Sequence, residues 1–176
     1  MRLKFPQLAV LTYDELKLMD FRDLSKATLA KRKLKYSPLC MRLNRIDYLL
    51  PPSLILISGE YEELLDFTPT PHEVPSLVDS KLVKYLLFDL PLILYHDRAP
   101  ILLRDLSERF TRDIDKGVAY VSNILARIAK VFNTTVVVCD KEIIELHDST
   151  LTILVGKING KTVAQIAETN EIFYLN

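Results

Sequence analysis

The sequence predicts an α/β fold: a mixed sheet, parallel at its front and antiparallel at its end, with flanking helices and a helical arm at the amino terminus. Three observations point there. Apolar runs rich in β-formers recur at residues 53–58 (SLILIS), 84–90 (KYLLFDL) and 134–139 (TTVVVC), as strands buried in a sheet do. A long amphipathic stretch at 115–132 stands directly before the third run, and strand, helix, strand is the order of a parallel crossover. Asn159-Gly160 separates two strand-like runs, 150–157 and 161–168, and an Asn-Gly pair suits a type I′ hairpin turn, which needs positive φ at both centres.

In chain order, Leu16, Met19, Leu24, Leu29 and Leu34 give residues 14–35 a loose helical period, with Asp23 or Ser25 able to cap a second helix. Residues 36–52 read as a connection holding a short amphipathic segment at Leu43, Ile46, Leu49 and Leu50. Three prolines between residues 68 and 75 mark a loop, and 97–112 read as loop plus a short helix. The helix at 115–132 lays Val118, Val121, Leu125, Ile128 and Phe132 along one stripe, with Asp113 and Asp115 at the end where the macrodipole favours carboxylates. A last strand is expected at 171–175. The division expected is a basic helical arm and linker, 1–48, and a core, 49–176.

The 176 residues suffice for one ordinary domain, and 49% hydrophobic content allows a sizeable core. Lys plus Arg (23) balances Asp plus Glu (23), which excludes a strongly basic chain that coats nucleic acid by charge alone. No window approaches the roughly 18 apolar residues of a membrane span, so a soluble cytoplasmic protein without membrane contact is expected. Cys40 and Cys139 are too few for a zinc cluster or a disulfide framework. His72, His96 and His147 lie far apart without partners at helical spacing, so no metal site is expected. With four glycines and neither G-x-S-x-G nor G-x-G-x-x-G, no catalytic motif stands out.

Charge is uneven along the chain. The first 48 residues are basic, with Lys31, Arg32, Lys33 and Lys35 close together, whereas residues 59–80 carry six acids and no Lys or Arg. This reads either as a solvated basic helix followed by an acidic loop, or as an arm that docks on an acidic partner, nucleic acid included.

Several segments, taken together, carry a resemblance. Met19-Asp20-Phe21-Arg22-Asp23-Leu24 opens a helix; Ile46-Asp47-Tyr48-Leu49-Leu50 follows; then come the run ending in Gly59-Glu60, the run Tyr85-Leu86-Leu87-Phe88-Asp89, the long helix, and Asn133-Thr134-Thr135-Val136-Val137-Val138. Ser149-Thr150-Leu151-Thr152-Ile153 and Gly160-Lys161-Thr162-Val163-Ala164-Gln165-Ile166 close the series. In this order they resemble the ATPase core of the RadA/RecA recombinase family in its archaeal and eukaryotic branch. The resemblance implies a reduced RecA-like sheet, with Asp89 at the end of the Walker B strand.

It also implies a ruined phosphate loop. Glu62, Glu63, Leu64, Leu65 and Asp66 follow Gly59-Glu60-Tyr61, so Leu65 stands about where the family's Lys would be and Asp66 about where its Mg²⁺-binding hydroxyl would be. Carboxylates facing a triphosphate repel it, so neither ATP binding in the family's manner nor any other cofactor is expected, and Asp89 reads as a capped strand-end carboxylate or a metal ligand without purpose. In the family, the phenylalanine of F-x-x-A docks on a neighbouring subunit. Phe21 and Leu24 occupy that place, and Leu24 would overfill a pocket shaped for a methyl by about 1–3 kcal/mol; Phe21 reads equally as an anchor of this chain's own core. Arg98, Arg104, Arg109 and Arg112 fall where the family's first DNA loop would lie, tempered by neighbouring acids, so any DNA contact would be weak. The function these features imply is a non-catalytic recombinase paralogue, accessory or regulatory in recombination and DNA repair. It would act through contacts with a RadA-type recombinase or another paralogue. The alternatives are a DNA-binding module using the basic arm, and a scaffold or homo-oligomer unrelated to recombination.

Overall fold

The structure is a computed structural model that describes residues 38–62 and 64–175. The helices expected at 14–35 lie outside those residues. The described chain forms three layers: helices, a seven-stranded mixed sheet, and a three-stranded antiparallel sheet.

The chain first forms the hairpin of β1 (Leu39–Leu43) and β2 (Ile46–Leu50), turning at Asn44 with φ 58°. The segment expected as a connection is thus a strand pair, and the 48/49 boundary falls inside β2. β3 (Leu54–Gly59) runs through the large sheet, and β4 (Leu65–Thr68) returns to pair with β1. The short β5 (His72–Glu73) follows. A helical segment then runs as α1 (Asp79–Lys84), a π-helical turn at Tyr85–Asp89, and α2 (Leu90–His96). β6 (Ile101–Arg104), a 3₁₀ turn (Leu106–Arg109), α3 (Ile114–Phe132) and β7 (Val136–Asp140) come next. The antiparallel end comprises β8 (Leu151–Ile158), β9 (Lys161–Ile166) and β10 (Ile172–Tyr174).

The large sheet has the order β10-β9-β8-β3-β7-β6-β5, in which β8, β3, β7, β6 and β5 are mutually parallel. Its α/β class, the α3–β7 crossover and the closing hairpin agree with expectation. Asn159 and Gly160 take φ of 50° and 76°, as the type I′ turn requires.

Alternation along the parallel strands builds two cores. Leu54, Leu56, Ile101, Leu103, Val136 and Val138 face the helices, where Val118, Val121, Leu125 and Ile128 of α3 meet them. Ile55, Ile57, Leu102, Val137 and Cys139 face the small sheet and pack on Leu39, Met41, Leu43, Tyr48 and Leu50. Strands buried on both faces read as continuous apolar runs, which is why 53–58 and 134–139 were legible.

The run at 84–90 is a correction. The run reads as a strand with Asp89 near its carboxyl end, yet it lies within the helical segment and shares no sheet with β3. Leu82, Leu86, Leu90 and Leu94 are all fully buried, four residues apart. In an α-helix each such step drifts by about 40°, and the wide turn takes up part of that drift, keeping the four on one side. That turn ends two residues before Pro91, which lacks an N–H and crowds the carbonyl four residues back; Leu90 N–H bonds Tyr85 O across it. A second correction concerns 97–112, where β6 is a buried strand that pairs with β7. Leu90→Ala should lower unfolding free energy by about 2–5 kcal/mol in chemical denaturation, because its side chain is enclosed by the helix-side core.

Candidate strand-end site

In open α/β sheets, ligands gather outside the carboxyl ends of the parallel strands. Here that edge carries Ser58 and Gly59 of β3, Arg104 of β6 followed by Asp105, Asp140 of β7 followed by Lys141, and Lys157 of β8. A cleft of about 460 Å³ opens there, lined by Gly59, Glu60, Glu62, Leu64, Lys141, Lys157 and Thr162.

Gly59 closes the strand tightly. Its φ is 108°, and a Cβ at this position would lie 1.9 Å from the Val155 carbonyl oxygen. Glu60 N–H donates to that same oxygen at 3.0 Å. The residues that follow reach β4 in the other sheet, so no helix begins where β3 ends. Two lysines balance the acids: Lys141 Nζ lies 3.2 Å from Glu62 Oε1, and Lys157 Nζ lies 3.6 Å from Glu60 Oε2. The hydrogen bond it donates to the Glu62 carboxylate holds the Lys141 ammonium above its ordinary pKa. Both pairs are more than half exposed, so neither contributes much stability.

Deeper in, the strand ends are polar. Asp140 is 1% exposed, and its carboxylate accepts hydrogen bonds from Ser107 N (2.8 Å), Ser107 Oγ (3.0 Å) and Glu142 N (2.9 Å). A buried carboxylate requires such donors, and these tie β7 to the 3₁₀ turn. Ser58 Oγ and Asp105 Oδ1 are buried without a hydrogen-bond partner. Tyr61, 1% exposed, has its phenol pKa driven well up, mainly by burial. Among the described residues, no group of three or more His, Cys, Asp or Glu is placed to hold a metal ion.

Gly59, Glu60 and Glu62 therefore come together, whereas Leu65 and Asp66 lie on β4, in the small sheet, with Asp66 opposite Arg42. Asp89 is exposed on the helical segment and does not end a strand; the carboxylate that follows β6 is Asp105. Glu63, Phe21, Leu24, Lys31, Arg32, Lys33 and Lys35 lie outside the described residues.

The arginines expected to reach DNA divide. Arg98 and Arg112 are exposed. Arg104 pairs with Glu73 at 3.1 Å. Arg109 is buried, donating through Nε to Arg104 O at 2.9 Å and through Nη1 to Pro75 O and to Leu77 O at 3.5 Å. It clamps residues 75–77 to the end of β6 and offers nothing to DNA; burial lowers its pKa, opposed by Asp105 and Glu73. Asp140, Lys141 and Lys157 went unnoticed in the sequence, and Asp105 counted there only among the acids that temper the arginines. Asp140 and Lys141 directly follow the legible run TTVVVC, so a strand-end rule alone would have found them.

Among the described residues, no helix is long and apolar enough to cross a membrane. No family model and no curated protein matches the chain. Among solved structures, it is similar to the flagellar accessory protein FlaH from Methanocaldococcus jannaschii at 14% identity, over 66% of this chain and 78% of that one, with a TM-score of 0.35. A likeness this slight supports no inference about fold or function.

Burial pushes the Cys139 thiol up to about 12 and the Cys40 thiol up to about 11, from an ordinary value of 9.0. Raised thiol pKa values mean the fold holds both neutral. Their contribution to stability is full below about pH 9 and is lost as pH rises towards 12. Denaturation midpoints should fall across that range, less steeply in Cys139→Ala, and native Cys139 should resist a chromogenic disulfide reagent that labels both thiols in denaturant.

Proposed function

We propose that the chain is a non-catalytic, RecA-like relative of the RadA recombinases, accessory in homologous recombination and DNA repair, acting by contact with a RadA-type recombinase or another paralogue. The observation that carries the non-catalytic part is the path of the chain after β3. A phosphate cradle needs successive backbone N–H groups and the positive end of a helix. After Gly59 the chain instead passes Glu60 and Glu62 and becomes β4, and the Glu60 N–H that would open a cradle already bonds Val155 O. A triphosphate entering the cleft would have to displace two carboxylates from their lysines.

The recombinase part rests on the order of the resembling segments. Residues 53–60 form the central parallel strand and its end, 115–138 form a helix and the neighbouring parallel strand, and 149–166 form the antiparallel close. The Walker B resemblance at Tyr85 to Asp89 no longer contributes, since that stretch is helical. DNA contact would be weak on this reading, because Arg104 and Arg109 are engaged within the protein.

The immobilised chain should retain the recombinase from its own organism, and Phe21→Ala should weaken that retention at least tenfold. Titration with ATP and Mg²⁺ should give no micromolar binding. ATP turnover stimulated by DNA, or a recombinase that passes the column unretarded, would refute the corresponding part.

A further inference from the structure

The side of the helical segment away from the sheet is apolar too. Phe88, Leu92 and Tyr95 stand on successive turns there, 66%, 65% and 79% exposed, with Leu87 and Ile93 beside them. Asp89 is the one charged residue between Tyr85 and Tyr95, so the segment is apolar around most of its circumference, and among the described residues only its inner side is covered. Together these residues offer roughly 500 Å² of apolar surface.

We propose that this face is a two-fold interface with a second copy of this chain, the two helical segments packing antiparallel. A two-fold interface must be complementary to itself, and the two ends of this stripe are. Lys84 lies at the amino end of the stripe and Asp97 just beyond its carboxyl end; both are exposed, and neither has an ion pair among the described residues. Setting Phe88 of one copy against Leu92 of the other, antiparallel, brings Lys84 of each to the level of Asp97 of the other. The helix dipoles then oppose, which also favours the arrangement. The apolar patch supplies well over half of the ~800 Å² that each partner contributes to a standard interface, and the charged rim adds to it. Tyr95 lies edge-on to His96, ring centroids 5.5 Å apart at 87°. This interface is independent of the recombinase reading and stands or falls separately.

Sedimentation equilibrium of the full chain tests it. The two-chain mass is expected, and Phe88→Asp should raise the dissociation constant about a hundredfold or more. Its circular dichroism should not change, because the side chain is exposed. Lys84→Glu and Asp97→Lys should each weaken association by about three- to tenfold, and their combination should restore it. A single-chain mass at millimolar concentration would overturn the proposal, as would a two-chain mass that Phe88→Asp leaves unaltered. Tighter association in Lys84→Glu would overturn it as well, since Arg98 rather than Asp97 would then face that end.

Discussion

The rest of the architecture follows from the need to cover both faces of β3 and its neighbour β7. Every residue of β7 is buried, as are Leu54 to Ser58 of β3, so apolar side chains leave these strands in both directions. Parallel strands in this position need cover on each side. One side receives α3 and the 79–96 helical segment. The other receives a sheet made of β1, β2 and β4, and that choice governs what the strand ends can do.

Covering the second face with strands takes β4 from the stretch that directly follows β3. That stretch cannot also open a helix, so the strand end loses the dipole and the free N–H groups that hold anions elsewhere in α/β sheets. Gly59 retains a role as the point of closest approach to β8, where any side chain would strike the Val155 carbonyl. The groups around it serve each other: Glu60 with Lys157, Glu62 with Lys141, Asp140 with Ser107. The two lysines of this edge are each engaged by a glutamate, which leaves little positive field there to draw a polyanion.

The helical segment shows what the same economy of structure leaves over. Four leucines at a spacing of four satisfy the core, and the π-helical turn before Pro91 keeps them aligned. The intervening apolar residues then have no place inside. Their exposure is the reverse side of a run so apolar that it reads, residue by residue, as a buried strand.

The sequence by itself determined the elements whose signals are local. Residues 53–58 and 134–139 are apolar on every residue because both faces are covered; α3 keeps one stripe over 19 residues; Asn159-Gly160 permits the only backbone geometry its turn accepts. Gly59, Glu60 and Glu62 were likewise legible as neighbours, being nearly contiguous. The tertiary structure alone decided whether 84–90 would be helix or strand, since a short apolar run suits either and the leucines that arbitrate lie outside it, at Leu82 and Leu94. Tertiary packing also turned Arg109 inward, made β6 from a tetrapeptide too short to signal itself, and brought Lys141 and Lys157 to the glutamates. Such pairings join residues some 80 to 100 positions apart along the chain, and no periodicity within a segment records them.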